Sequence, residues 1–282
     1  MLFVRYGLQP ASQKPPLGAG IDWDHPLSAG LVRCWVLNEG AGMLTRDLAG
    51  GSGNRLTVFT AAASGWKPRT AGTALAFDGA NDYVDCGSSM PSLQDSTVFA
   101  QIQTTTIAAT AVVIGRGLTS GDHTHALVIS SGKATYQSAS GIMFQPADGV
   151  TGIISVNDGK VHTIAGTFDG TLLAVHVDGY LDASKNKTTY PTKNITNTVL
   201  GNLIGYSVYF SGFISAVYAY DRALPQDQLR WLHAEPYAMI RPAELPSKLF
   251  TMSSLAQTFR ARELPARFAP KELVDRYTMV EK

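Results

Sequence analysis

The stretch Ala74–Ser88, ALAFDGANDYVDCGS, confines this chain to β architectures. Leu75 and Phe77 alternate with small neighbours, Asp78 to Asp82 interrupt them with a polar turn, and Tyr83 and Val84 resume the run. Asp-Gly is a strong turn signal, because glycine accepts a positive φ and aspartate hydrogen-bonds the backbone just beyond it. The same grammar recurs down the chain. Thr97–Gln103, Ala111–Arg116 (AVVIGR), Ala126–Ser130 (ALVIS), His162–Phe168, Leu172–Val177 (LLAVHV) and Gly212–Tyr220 are separated by Gly, Asn, Asp and Ser clusters. Roughly a dozen short strands of this kind predict an all-β sandwich or barrel.

Leu31–Leu37, inside IDWDHPLSAGLVRCWVLNEGAG, is apolar on both sides of its pleat, so it reads as an inner strand closed by Asn38-Glu39-Gly40. One segment, Pro225–Ala234, reads as a helix. Pro225 suits a helix start, and Leu229 and Leu232 share a face with Trp231 beside them. Residues 1–20 form an extended leader broken by prolines and glycines, 21–234 the domain, and 235–282 a linker and a repetitive arm.

That arm has a period of nine. Phe250, Phe259, Phe268 and Tyr277 recur at that spacing, and from Leu255 the units align as LAQTFRARE, LPARFAPKE and LVDRYTMVE. Leu255, Leu264 and Leu273 open them. Each unit carries one leucine and one aromatic, too little for a core of its own. It suits one short strand and one turn per unit, an arm that orders by strand addition to a partner or to its own copies. Residues 241–282 hold eight Lys or Arg against five Asp or Glu. The excess fits an acidic docking surface but is too mild for nucleic acid.

The totals exclude several classes. A hydrophobic content of 45% supports a real core, and a net charge of +1 gives no field toward nucleic acid or membrane. No window approaches a membrane-spanning apolar run. MLFVRYGLQPASQKPP lacks the pattern of a signal peptide, so cytoplasmic synthesis is expected. Cys34 and Cys86 are then expected as buried free thiols.

DWDHPLSAGLVRCWVLNEGAG, DLAGG, ALAFDGANDYVDCG, HTIAGTFDGTLLAVHVDGYLD and FSGFISAVYAYDRALPQDQL stand in the order found in laminin-G-like jelly rolls. Over about Ile21–His233 the chain resembles that branch of the concanavalin A-like lectin and glucanase superfamily. The resemblance implies an antiparallel jelly-roll sandwich of two sheets, six or seven strands each. The leader, the EPYAMIRP exit and the nonapeptide arm are similar to bacteriophage and prophage structural proteins. They imply a virion protein, a decoration or adhesion module with capsid or tail proteins and its own copies as partners. The alternative is a carbohydrate-binding module that recognises a cell-surface glycan.

Catalysis has little to rest on. The glucanase branch uses E-x-D-x-x-E, which is absent; Glu39 is the only glutamate before Glu235. Asp82 and Asp85 are the remaining candidate pair. No cofactor is required, with calcium as an option: Asp78, Asn81 and Asp82 are the candidate oxygen donors. The strand that commonly reads G-x-I-D-E in this family reads Gly212-Phe213-Ile214-Ser215-Ala216, without either acid. His123 and His125, in an expected loop over Gly121–His125, read as surface. Trp66, Tyr136, Tyr190, Tyr206 and Tyr209 are the candidate sugar platforms.

Overall fold

The computed structural model describes residues 13–50, 55–59, 65–87, 95–117, 122–142, 148–189, 197–203 and 205–242. The nonapeptide arm, with Phe250, Phe259, Phe268, Tyr277, Leu255, Leu264 and Leu273, lies outside the described residues, as does Tyr190.

Two antiparallel sheets pack face to face. The first runs in the order β12 (Gly149–Ser155), β11 (Lys133–Ile142), β10 (Asp122–Ser130), β9 (Ala111–Gly117), β16 (Thr198–Leu200), β7 (Tyr83–Asp85), β4 (Arg55–Phe59), β3 (Leu44–Arg46). The second runs β15 (Tyr180–Asn186), β14 (Leu172–Val177), β13 (Val161–Phe168), β8 (Ser96–Gln103), β17 (Ser211–Tyr220), β6 (Gly72–Asp78), β5 (Gly65–Arg69). β2 (Leu31–Trp35) joins it alongside the second half of β17. Each sheet thus has eight strands among the described residues, more than the family resemblance implies.

Strand periodicity sorts the core. In β8, Val98, Ala100 and Ile102 point between the sheets, where they meet Leu75, Phe77, Val84, Leu127, Tyr136 and Phe168. Phe99 points the other way and stacks on Tyr218, ring centroids 5.4 Å apart. That outer face is covered by a third layer. It includes Leu27, then Leu229 and Leu232 of the helix α1 (Gln226–Ala234), and then Tyr237, Met239 and Ile240. β2 is apolar on both sides for this reason: Trp35 serves the inter-sheet core, and Leu31 and Cys34 serve the outer one. Among the described residues its one ladder partner is β17, with an isolated bridge from Trp35 to Asp47, so it is an inner strand by coverage.

The domain is wider than 21–234. β1 (Gly20–Ile21) pairs with β18 (Ile240–Arg241), tying the leader to the exit segment, and Asp22 forms an ion pair with Arg241. The leader also supplies a peg. β17 pairs with β6 through Ile214 and with β2 from Val217, with a register shift on its β8 side between Ile214 and Ala216. The Lys14 ammonium lies where the two pairings part. It donates to the carbonyls of Val36 at 2.7 Å, Leu37 at 2.9 Å, Ser215 at 2.6 Å and Thr73.

The expected loop at Gly121–His125 is a strand from Asp122 onward. β10 pairs with both β9 and β11, with a register shift between His123 and His125. His125 is buried, parallel to the Tyr136 ring, with Nδ1 3.2 Å from the Tyr136 hydroxyl. It is therefore a core residue. Cys34 and Cys86 are both buried free thiols.

Candidate functional site

The site begins with a departure from the sheet. After β16 the chain turns at Gly201 (φ +81°) and crosses the outer face of the first sheet before entering β17 at Ser211. A Cβ at Gly201 would lie 2.3 Å from the Phe77 ring, so both space and φ require glycine. Backbone bonds hold the crossing down. Gly201 N–H donates to Val113 O at 2.9 Å, Val112 N–H to Val208 O at 2.9 Å, and Phe210 N–H to Gly201 O at 2.8 Å. Leu203 is buried with Val112, Ala126 and Val128 on that outer face. The room for it comes from Gly115, where a Cβ would lie 2.3 Å from Leu203 Cδ1.

Beside the crossing lies a cleft of about 420 Å³. β7 supplies one wall. Val84 is buried in the core, so Tyr83 and Asp85 face outward by strand alternation. The crossing supplies the other wall with Asn202, Tyr206, Ser207 and Tyr209. The three tyrosines are half-buried, which leaves apolar ring surface beside polar tips.

The polar groups here are unevenly satisfied. Asp85 Oδ1 accepts from Gly87 N–H at 2.8 Å, and the second oxygen has no donor among the described residues. Asn202 is only 7% exposed, and its buried Oδ1 has no hydrogen-bond partner among the described residues. A buried amide oxygen without a donor costs about 1–3 kcal/mol. A second groove, beside α1, differs in this respect. There Arg230 lies over the Tyr180 ring at 5.0 Å, Trp231 Nε1 donates to Glu235 at 3.1 Å, and His233 Nδ1 is 2.9 Å from Thr163 Oγ1. Its groups already serve one another.

The structure separates the sugar-platform candidates. Tyr206 and Tyr209 meet in the cleft. Tyr136 is a core residue whose hydroxyl is 2.8 Å from Ser96 Oγ, and burial raises its pKa above the ordinary phenol range. Trp66 packs against the inter-sheet core and donates Nε1 to Gly42 O at 2.9 Å. Asp78, Asn81 and Asp82 stand together in one turn. Asp78 Oδ1 accepts from Ala80 N–H at 2.8 Å and Asn81 N–H at 3.3 Å, which lowers the Asp78 pKa. The fully buried Asp82 accepts from Asp78 N–H at 2.8 Å. Among the described residues no three His, Cys, Asp or Glu side chains gather as a metal site. Asp82 does not line the cleft that holds Asp85. Tyr83, Asn202 and Ser207 escaped the sequence reading. The outward pair around Val84 was a usable signal for Tyr83, whereas nothing in the sequence marks Asn202.

Two packed antiparallel sheets with a tyrosine-walled cleft on one outer face define a lectin-type β-sandwich. The chain belongs to the Laminin_G_3 family, described as the concanavalin A-like lectin/glucanases superfamily, whose profile matches residues 78–230. Its fold is similar to domain 4 of an extracellular arabinanase from Geobacillus stearothermophilus, solved in complex with arabinotriose. That match has a TM-score of 0.56 at 15% identity, over 73% of this chain and 98% of that one. Trypanosoma rangeli sialidase in complex with sialic acid is similar at a TM-score of 0.54 and 16% identity, over 74% of this chain and 33% of that one. The binding domain of botulinum neurotoxin DC in complex with SialylT is similar at 0.55 and 8%, over 73% and 52%. The chain thus spans a third of the sialidase chain and about half of the toxin domain. At these identities the likeness is one of fold. No curated protein matches the sequence.

Proposed function

We propose that this chain is a non-enzymatic glycan-binding module displayed on a bacteriophage particle. The observation that carries the glycan part is the cleft. Tyrosine ring faces stand beside a buried, unpartnered Asn202 amide oxygen and a carboxylate with one oxygen open. Rings cover the apolar face of a pyranose, and the polar groups take its hydroxyls. The fold relatives solved with arabinotriose, sialic acid and SialylT support this reading. The test is a glycan array probed with the full chain. Tyr206→Ala and Tyr209→Ala should each weaken binding about tenfold, the upper end of one aromatic contact. Binding that ignores both substitutions would refute the site. Because the Asp78 and Asp82 carboxylates bond backbone within their own turn, EDTA should leave binding unchanged.

The particle part rests on the nine-residue repeat. In this reading Phe250, Phe259, Phe268 and Tyr277 are buried against capsid or tail proteins or against other copies of the chain. Residues up to Pro242 carry their own core, so light scattering on the full chain and on 1–244 is decisive. An oligomer that becomes a folded monomer on truncation supports the arm as an assembly element. Two monomers refute self-assembly.

A further inference from the structure

We infer that the cleft beside the Gly201–Phe210 crossing selects neutral, hydroxyl-rich sugars and rejects acidic ones. The inference rests on the glycan-binding reading and deepens it. Among the described residues lining the cleft, one, Asp85, carries a formal charge, and it is negative; none is Lys or Arg. The Asp85 oxygen left open by the Gly87 bond can only accept, so a hydroxyl or ammonium donor satisfies it and a sugar carboxylate is repelled. Asn202 also lines the cleft, with a buried Oδ1 that has no hydrogen-bond partner among the described residues. Sialic acid or a uronate needs the opposite furniture, a guanidinium or ammonium to pair its charge. The strand alternation that turns Tyr83 and Asp85 outward fixes this sign, because Val84 must stay in the core.

The experiment uses the full chain on an immobilised panel of neutral gluco-, galacto-, manno- and arabino-oligosaccharides beside sialylated and uronate-bearing ones. The expected result is binding confined to neutral members. Asn202→Ala, which removes one lining side chain, should weaken it. Asp85→Asn keeps the side-chain shape, so it should fold, lose about tenfold in neutral-sugar affinity by dropping a charge-assisted bond, and begin to tolerate acidic members. Binding confined to acidic members, or equal binding to both groups, overturns the inference and leaves the glycan reading standing. Binding to no member, with a native thermal melt, overturns both.

Discussion

Lys14→Met keeps the aliphatic stem of the peg and removes its charge. In the native chain three N–H donors of one ammonium are shared over four backbone carbonyls, those of Val36, Leu37, Thr73 and Ser215. Those hydrogen bonds satisfy carbonyls that would otherwise lack this donor, and a buried acceptor left unsatisfied costs about 1–3 kcal/mol. Burial opposes them. It pulls the Lys14 pKa from 10.5 down to about 7, with Glu39 acting in the other direction. At about 1.36 kcal/mol per pH unit that drop corresponds to roughly 5 kcal/mol. The charged form is thus disfavoured in the fold, and the expected loss of about 3 kcal/mol on substitution comes from leaving those carbonyls without this donor. Guanidinium unfolding at pH 7 measures it, with an unchanged m-value showing that the folded state is intact. A loss under about 1 kcal/mol would refute the peg. The pH dependence gives a second readout. With its folded pKa below the unfolded one, Lys14 binds its proton more readily in the unfolded chain between pH 7 and 10.5. The native chain should therefore gain stability over Lys14→Met as pH rises through that interval.

Two further outcomes follow from burial and close approach. His176 is 6% exposed, and burial lowers its pKa from 6.5 to about 4, so the unfolded chain takes up the proton first as pH falls. Stability should drop by up to about 3 kcal/mol between pH 6.5 and 4, and urea melts of His176→Gln should lack this component; parallel curves would count against it. Gly115→Ala pushes on Leu203, whose Cδ1 would lie 2.3 Å from the new Cβ. Leu203 is packed against Val112, Ala126 and Val128, so its displacement should disturb the segment that carries Asn202 and Tyr206, lowering glycan affinity several-fold with a stability loss of about 1–3 kcal/mol. Calorimetric titration beside a thermal melt separates the two, and unchanged affinity would show that the cleft does not depend on this seat.

The sandwich was legible in the sequence because each strand carries its own signal. Leu172–Val177 and its Asp178-Gly179 turn are a strand and a turn whatever they pack against, and β14 coincides with that expectation. Strands whose apolar content is low, such as Tyr180–Asn186, gave no such signal and exist because β14 supplies a partner edge. Lys14 was illegible for a stronger reason. A lysine among prolines reads as a solvated leader, and only the parting of β6 from β2 along β17 creates a cage of carbonyls for it. The cleft lies between these cases. Tyr206 and Tyr209 were visible as aromatics, but so were Tyr136 and Trp66, and composition cannot distinguish a ring in the core from one on a wall. What distinguishes them is the route of the chain after Leu200. Had it entered β17 directly, no segment would cross the outer face of the first sheet, and Tyr83 and Asp85 would be ordinary surface residues. Gly201 and Gly115 make the crossing sterically possible, and Leu203 secures it. The cleft wall is thus a consequence of two glycines in different strands' surroundings, a pairwise fact that no single stretch of sequence contains.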